Sequence, residues 1–306
     1  MAGSSFPHAA LMPPSLIGLI QVLLSAVAFG TMAILARFAY ADGTTTTTLL
    51  LLRFVIAGLV LLPWVALQRL PWPTGRALLA LIVMGAVGYA GMSACYFNAL
   101  NHASAGTVAL LLYLYPVLVL LLSMLLGERL TSLRLIALLL ALSGLAVTIG
   151  LEFSARPLGL LLGVGAALIY SCYILIGSRF TAGTHPLAAT CVVILSAAAS
   201  YVLQSTWQGW GPPHSARGWL AIVMMALICT VAAVALFLNG LEKIGATRAS
   251  LVSTVEPVVT LLLAWGLLGE PIGLSQALGG LLILGAVLLV SREADPKRTE
   301  LTELHD

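Results

Sequence analysis

The fold of this chain is decided by a stretch that occurs twice, NALNHASAGTVALLLYLYP at residues 98–116 and NGLEKIGATRASLVSTVEP at residues 239–257. Each copy runs from an asparagine to a proline 18 residues later, and a Gly-Glu pair follows at Gly127–Glu128 and at Gly269–Glu270. Upstream residues repeat at the same offset of 141 residues: Gly18, Phe29 and Ile34 match Gly159, Tyr170 and Leu175. A period this long in apolar sequence indicates a duplicated helical bundle whose halves depend on each other.

Composition predicts that this bundle lies in a membrane. Of 306 residues, 60% are hydrophobic and 8% are charged, and the mean hydropathy is +1.08. So little charge cannot cover a water-facing surface. A transmembrane β-barrel would need short segments of alternating polarity, whereas these runs are continuous and suit helices of about 20 residues. We predict ten spans: Leu16–Phe38, Thr46–Leu67, Ala77–Leu100, Ala103–Leu126, Leu133–Gly150, Leu158–Phe180, Leu187–Gln204, Trp219–Leu241, Ala246–Leu268 and Gly273–Val290.

The duplication predicts an all-α integral membrane protein with ten transmembrane helices in an inverted 5+5 repeat. Residues 1–152 form the first five-helix repeat, residues 153–291 the second, and residues 292–306 a cytoplasmic tail. Residues 1–15 lack the basic region of a cleavable signal, and the apolar run after them is too long for a signal core. We therefore expect a multi-pass protein that keeps its first span.

Basic residues predict the orientation, because cytoplasmic loops carry an excess of Lys and Arg. With both termini in the cytoplasm, the inner side holds Arg69, Arg76, Arg129, Arg134, Arg179, Lys243, Arg248, Arg292, Lys297 and Arg298. The outer side then holds Arg37, Arg156 and Arg217. Five spans per half is an odd number, so the second copy must be inverted, and its repeated turn is indeed the basic one. Both arguments predict cytoplasmic termini.

These motifs resemble those of the EamA family, the ten-helix branch of the drug/metabolite transporter superfamily, over nearly the whole chain. The resemblance is carried by Ala103–Thr107 and Gly245–Arg248, Pro116 and Pro257, the two Gly-Glu pairs, and Arg53–Phe54. It implies alternating access in the inner (plasma) membrane and export of small metabolites. More narrowly, the chain resembles bacterial exporters of aromatic and other apolar amino acids. The implied partners are a small-molecule substrate and the lipid bilayer.

Glu256 and Arg53 are the charged candidates for the substrate site. A carboxylate inside a span costs about 2.5–3.5 kcal/mol on insertion scales, so Glu256 is expected to face a cavity or a partner. It could bind a substrate ammonium, carry a coupling proton or pair with Arg53; a purely structural hydrogen bond is the alternative. Arg53 could receive a substrate carboxylate through two parallel bonds, while snorkelling is as compatible with its position. Glu128 and Glu270 end their helices and are expected to be structural.

Tyrosines within the spans are the second group of candidates, because a hydroxyl that faces acyl chains has no partner. Inverted repeats place a substrate site near the midplane between the halves. The uncharged residues assigned to this site are Tyr89, Ser93, Tyr96, Tyr113, Tyr170, Tyr173 and Asn239. Pro116 and Pro257 each remove a backbone bond and are expected to bend the fourth and ninth spans. They are pivots or cavity walls in one interpretation and fixed packing kinks in the other.

Several functional classes are not predicted, because the sequence lacks the motifs that they require. Phosphorylated cargoes call for clustered Arg and Lys, whereas Arg53 is alone in mid-span. The sequence has no nucleotide-binding loop, metal constellation, cofactor motif or nucleophile–base pair, so we predict neither an enzyme nor a nucleic-acid binder. One acid, one base and several aromatics favour a small zwitterion with an apolar side chain. A secondary carrier is favoured; a channel, a lipid-handling protein or a carrier of another metabolite or drug is the alternative. The oligomeric state and the driving force stay open.

Overall fold

The chain is helical throughout the residues that the computed structural model describes, which are 13–125, 132–150, 156–180, 183–244, 249, 252–253 and 255–293, and these contain no β-strand. The first half forms α1 (Pro14–Gly30), α2 (Met32–Ala41), α3 (Thr46–Leu67), α4 (Gly75–Val83), α5 (Ala90–Ala99), α6 (Ala105–Leu112), α7 (Tyr115–Leu125) and α8 (Ser132–Gly150). The second half forms α9 (Pro157–Phe180), α10 (Pro186–Gln208), α11 (Ala216–Ala226), α12 (Ala233–Ile244), α13 (Val255–Leu268) and α14 (Leu274–Glu293).

Within the described residues, six helices are long and apolar enough to cross a membrane: Pro14–Ala41, Thr46–Leu67, Gly75–Ala99, Pro157–Gly177, Pro186–Gln208 and Ala216–Ile244. Shorter apolar helices lie in the other four predicted spans, at Ala105–Val119, Leu135–Val147, Val255–Leu268 and Leu274–Ala286. Large apolar side chains such as Leu59, Leu161 and Leu281 are exposed on the outside of the bundle. Lipid is the solvent that suits this surface, so the protein is an integral membrane protein.

The predicted boundaries agree closely with the observed helices. The second span was predicted at Thr46–Leu67, and α3 covers the same residues, with Thr45 as its N-cap. The seventh span was predicted to end at Gln204, but α10 continues to Gln208. Its last turn is stabilised from within, because the Ser205 hydroxyl donates to the carbonyl of Val202. Gly127, Glu128, Arg129, Ala246, Arg248, Lys297 and Arg298, with residues 1–12 and 294–306, lie outside the described residues.

Two π-helical segments interrupt the third and eighth spans, and the sequence analysis did not predict them. Met84–Tyr89 joins α4 to α5, and Leu227–Ala232 joins α11 to α12. Gly85 allows the first segment to approach α10, since a Cβ there would collide with the carbonyl oxygen of Val193. A π-helical turn contains an extra residue and is frequent at functional sites. The two segments therefore mark corresponding places in the two halves.

Packing between the halves follows the repeat. Helix α1 of the first half packs on α12 of the second, and the repeat-related pair, α9 of the second half and α5 of the first, packs in the same way. α3 packs against α10, and α8 against α14. A Cβ on Gly240 would lie 2.8 Å from the Gly18 carbonyl oxygen, so α1 and α12 touch through their backbones. Small residues at such crossings are the usual means of helix association in membranes.

The segments predicted to face outward meet at one end of the bundle. Glu270 accepts the backbone N–H of Ala105 at the start of α6 (2.9 Å) and pairs with Arg37 (3.2 Å). Asp42 accepts the backbone N–H of Ser215 (2.8 Å) at the start of α11. Hydrogen bonds from Ser215 hold the pKa of the Asp42 carboxyl below its usual value. Glu270 thus joins two helix ends, which is the structural role expected for it.

Candidate functional site

A cavity of about 280 Å³ lies among the helices of both halves. Eight residues assigned to the substrate site from the sequence line it: Arg53, Tyr89, Ser93, Tyr96, Tyr113, Tyr170, Tyr173 and Glu256. The volume is close to the lower end of the roughly 300–1,000 Å³ range of small-molecule sites. Sequence reasoning missed Tyr115 and the apolar lining residues, among them Phe29, Met32 and Phe237. The cavity accordingly suits a small ligand with both polar and apolar parts.

The repeat itself contains the signal that could have found the missed residues. Seven pairs of lining residues are separated by the repeat offset of 141: Phe29 and Tyr170, Met32 and Tyr173, Arg53 and Ile194, Ser93 and Val234, Tyr96 and Phe237, Leu112 and Ser253, Tyr115 and Glu256. Equivalent positions of the two copies thus face one another across a single space. Applying the offset to each candidate would have named the partner residues.

Arg53 is buried beside this cavity, with 1% of its surface exposed. Its Nε donates to Thr230 Oγ1 (2.9 Å), and its Nη2 donates to the Tyr89 hydroxyl (3.4 Å). The guanidinium carbon lies 5.0 Å from the ring centroid of Phe54 and 5.4 Å from that of Phe97. Such rings attract a cation through their faces. Among the described residues Nη1 has no hydrogen-bond partner, so it is available to a ligand.

Both π-helical segments contribute to this arrangement. Tyr89 is the last residue of the first segment, and Thr230 lies in the second. The Thr230 hydroxyl donates to the carbonyl of Met225, five residues earlier (3.1 Å). Tyr89 and Thr230 are themselves 141 residues apart. The two hydrogen-bond partners of Arg53 therefore occupy the same position in the two copies of the repeat.

Glu256 lies at another part of the cavity and has a simpler environment. The Tyr113 hydroxyl is 3.0 Å from its Oε2, and the same hydroxyl also contacts the carbonyl of Ser253. The sequence left open a pairing with Arg53, and the structure does not contain it. In the part of the chain that the structure describes, the ion pair is that of Arg37 with Glu270. The Glu256 carboxyl is thus held by one phenol.

Five tyrosine rings connect the two charged residues, and we call them the tyrosine wall. Ring centroids lie 6.1 Å apart for Tyr113 and Tyr115, and 4.8 Å apart for Tyr115 and Tyr170. They lie 5.9 Å apart for Tyr170 and Tyr173, and 6.1 Å apart for Tyr173 and Tyr89. Tyr113 touches Glu256 and Tyr89 touches Arg53, so the wall has a carboxyl at one end and a guanidinium at the other.

Asn239 does not reach the cavity. Its side chain is exposed, and its Nδ2 donates to the carbonyl of Ala235 on the same helix (2.8 Å). Its counterpart Asn98 makes the same bond to Ala94 (2.8 Å). The repeated asparagine therefore satisfies a carbonyl of its own helix in both copies. The sequence assigned Asn239 to the substrate site, and in this structure it lies outside the lining of the cavity.

Pro116 and Pro257 lie in different local structures. The fourth span is interrupted between α6 and α7, just before Pro116, and the N–H groups of Leu114 and Val117 bond three residues back. A proline lacks the N–H that would continue the regular helix. Pro257 is buried in the first turn of α13. Part of the segment before it lies outside the described residues, so its bend stays a prediction.

A cavity with polar residues between the halves of a multi-pass helical bundle is the arrangement expected of a membrane transporter. The sequence profile of the EamA-like transporter family matches residues 16–150 and again residues 157–292. The chain therefore belongs to the EamA-like transporter family.

Two similar proteins are described as transporters, and a solved structure has a similar fold. An uncharacterized transporter of Archaeoglobus fulgidus is 28% identical over 272 residues, which cover 89% of this chain and 95% of the relative. The uncharacterized inner membrane transporter YicL of Salmonella typhimurium is 26% identical and covers 90% of this chain and 96% of the relative. A solved crystal structure matches with a TM-score of 0.64 at 26% identity, covering 94% of this chain and 98% of the other. None of these three descriptions names a cargo.

Proposed function

We propose that this transporter exports aromatic and other apolar amino acids by alternating access through the cavity between its two repeats. One observation carries the proposal, namely a cavity lined by a guanidinium, a carboxyl and a tyrosine wall that contacts both of them. An amino acid has the complementary features, since its carboxylate and ammonium flank an aliphatic or aromatic side chain.

The carboxylate of the cargo is assigned to Arg53. Its guanidinium is prearranged by Thr230 and Tyr89, which lowers the entropy lost when a ligand binds. The free Nη1 can donate to a carboxylate oxygen, and charge-assisted bonds of this kind are about twice as strong as neutral ones. Burial among Phe54 and Phe97 excludes water that would weaken the attraction.

The ammonium of the cargo is assigned to Glu256. The Tyr113 hydroxyl lies 3.0 Å from one of its oxygens, and the other oxygen has no partner within the described ranges. A half-buried carboxyl inside a membrane span is costly unless a cation or a proton joins it. A cargo ammonium would supply that cation, or a proton would replace it when the cavity is empty. This exchange would allow proton-coupled export.

The apolar side chain of the cargo is assigned to the tyrosine wall and the other large apolar residues that line the cavity. Tyr115 and Tyr170 meet edge to face with centroids 4.8 Å apart, a geometry that leaves ring faces for an inserted group. Phe29, Met32, Tyr96 and Phe237 complete the apolar surface. Met adapts to side chains of different shape, which suits a range of apolar cargoes.

An inverted 5+5 bundle of ten transmembrane helices, with repeats at residues 1–152 and 153–291, supports this mechanism. The family profile matches once in each proposed repeat, and lining residues come in pairs at the repeat offset. Rocking of one repeat against the other would open the cavity to alternate sides. We place both termini in the cytoplasm from the basic residues, and Pro116 and Pro257 are proposed as the bend points.

Reconstituted vesicles test the proposal. Purified protein would be inserted into liposomes, and the uptake of labelled phenylalanine, tyrosine, leucine, lysine and glutamate would be compared with protein-free liposomes. We expect saturable flux of phenylalanine and leucine, competition between the two, and little flux of lysine or glutamate. Flux that rises linearly with concentration and without competition would instead indicate a channel. No flux of any apolar amino acid would exclude the cargo proposed.

A further inference from the structure

Arg53 is held from both halves of the protein, and only one of its two hydrogen bonds crosses between them. Tyr89 belongs to the same half as Arg53, while Thr230 belongs to the other half. A guanidinium is planar and rigid. Fixing Nε on Thr230 and Nη2 on Tyr89 therefore fixes the whole plane and directs Nη1 to one place.

The π-helical turn determines what Thr230 can do. Its hydroxyl proton is engaged by the Met225 carbonyl five residues back, which is the spacing of a π turn. Because a hydroxyl has one proton and two lone pairs, Thr230 then faces Arg53 as an acceptor. The side chain is buried, with 1% exposed, and it does not line the cavity among the described residues. It therefore acts on a ligand through Arg53.

We propose that Thr230 is a positioning residue that gives the cavity its selectivity for ligands with a carboxylate, by orienting Arg53 across the interface between the repeats. This inference rests on the proposed role of Arg53 in the function above. It predicts that loss of the Thr230 hydroxyl weakens carboxylate ligands alone. Ligands that have only an ammonium bind at Glu256 and do not use the guanidinium.

Three probes of one shape separate the contributions: 3-phenylpropionate has the carboxylate, phenethylamine has the ammonium and phenylalanine has both. Their affinities would be measured by calorimetry on the purified full-length protein, for the parent and for Thr230→Val, which keeps the shape and loses the hydroxyl. We expect Thr230→Val to weaken 3-phenylpropionate and phenylalanine about tenfold, since a bond to a charged group is lost. Phenethylamine should bind as it does to the parent.

Two further variants control the experiment. Thr230→Ser restores the hydroxyl and should return both carboxylate affinities to about the parental value. Ser25→Ala removes another buried hydroxyl, which donates to the Ala233 carbonyl between the halves (2.7 Å) and does not touch Arg53. It should change none of the three affinities. If Thr230→Val does not give monodisperse protein, Thr230→Ala takes its place in the comparison.

Each result supports or overturns the inference. Equal weakening of all three probes, or no weakening of any, would contradict it, as would a parent that binds no 3-phenylpropionate. Carboxylate binding that depends on Thr230, without phenylalanine flux in vesicles, would sustain this inference and refute the proposed cargo. If phenylalanine is transported but Thr230→Val leaves the carboxylate affinities unchanged, the proposed cargo is supported and this inference is refuted.

Discussion

The two ends of the tyrosine wall differ in how firmly they hold their charged group. Among the described residues, Arg53 has two side-chain hydrogen bonds and two aromatic rings around it, whereas Glu256 has one hydrogen-bonding side chain beside it, that of Tyr113. A rigid cation can recognise a carboxylate with little loss of entropy. A loosely held carboxyl can exchange one cation for another. In the proposed function, Arg53 therefore recognises the cargo carboxylate, while Glu256 exchanges one cation for another.

The largest effect on transport is expected at Glu256, which has fewer hydrogen-bond partners than Arg53 among the described residues. Glu256→Gln keeps size and hydrogen bonding but removes the charge, so the cargo ammonium loses its partner. Removing one member of a buried charge pair costs 2–5 kcal/mol, and we expect phenylalanine flux in vesicles to fall about thirtyfold or more. The protein should remain monodisperse in normal yield. Parental flux in Glu256→Gln vesicles would make this residue structural.

A smaller effect on transport is expected when Arg53 is replaced by a residue that keeps the positive charge but lacks the planar guanidinium. Arg53→Lys retains a cation, but a single ammonium cannot serve Thr230, Tyr89 and a ligand in fixed directions. The KM for phenylalanine should rise about tenfold, as expected for loss of a charge-assisted bond. The KM for phenethylamine should stay unchanged, and a parallel rise for both would show a general packing defect.

Each residue of the tyrosine wall should contribute less to transport than Glu256 or Arg53. Tyr170→Ala removes a ring that contacts Tyr115 and Tyr173, and Tyr96→Ala removes another from the lining. Aromatic pairs are worth 0.5–1.5 kcal/mol beyond their area, so uptake of phenylalanine should fall at least about threefold at equal expression. Trp207→Ala is the matched control, since Trp207 is 76% exposed. A stronger effect at Trp207 would refute the cavity assignment.

The smallest effect is expected at Asn239. Its amide bonds the Ala235 carbonyl of its own helix, so Asn239→Ala should leave the KM for phenylalanine within about twofold of the parent. A change in selectivity among amino acids, measured in the same vesicles, would show that Asn239 reaches the cargo.

Sequence reasoning succeeded where local physics decides the outcome. The bounds of α3 follow from an apolar run with a threonine cap, and eight lining residues were recognised because polar groups in lipid need a protein partner. The π-helical segments could not be found in this way, because they depend on the approach of Gly85 to α10 and on the bond from Thr230 to Met225. Asn239 was predicted at the site, but the sequence pattern does not distinguish a polar residue that binds a ligand from one that bonds its own helix, as Asn239 does here.

The proposed site binds the cargo carboxylate at Arg53 and the cargo ammonium at Glu256. Binding of phenylalanine, its methyl ester and N-acetylphenylalanine to the parent, Arg53→Lys and Glu256→Gln tests it most directly, because each derivative lacks one charge. We predict that Arg53→Lys largely loses discrimination against the ester but keeps discrimination against the N-acetyl compound, and that Glu256→Gln does the opposite. If both variants lose the two discriminations equally, or neither loses any, the two-ended site is wrong.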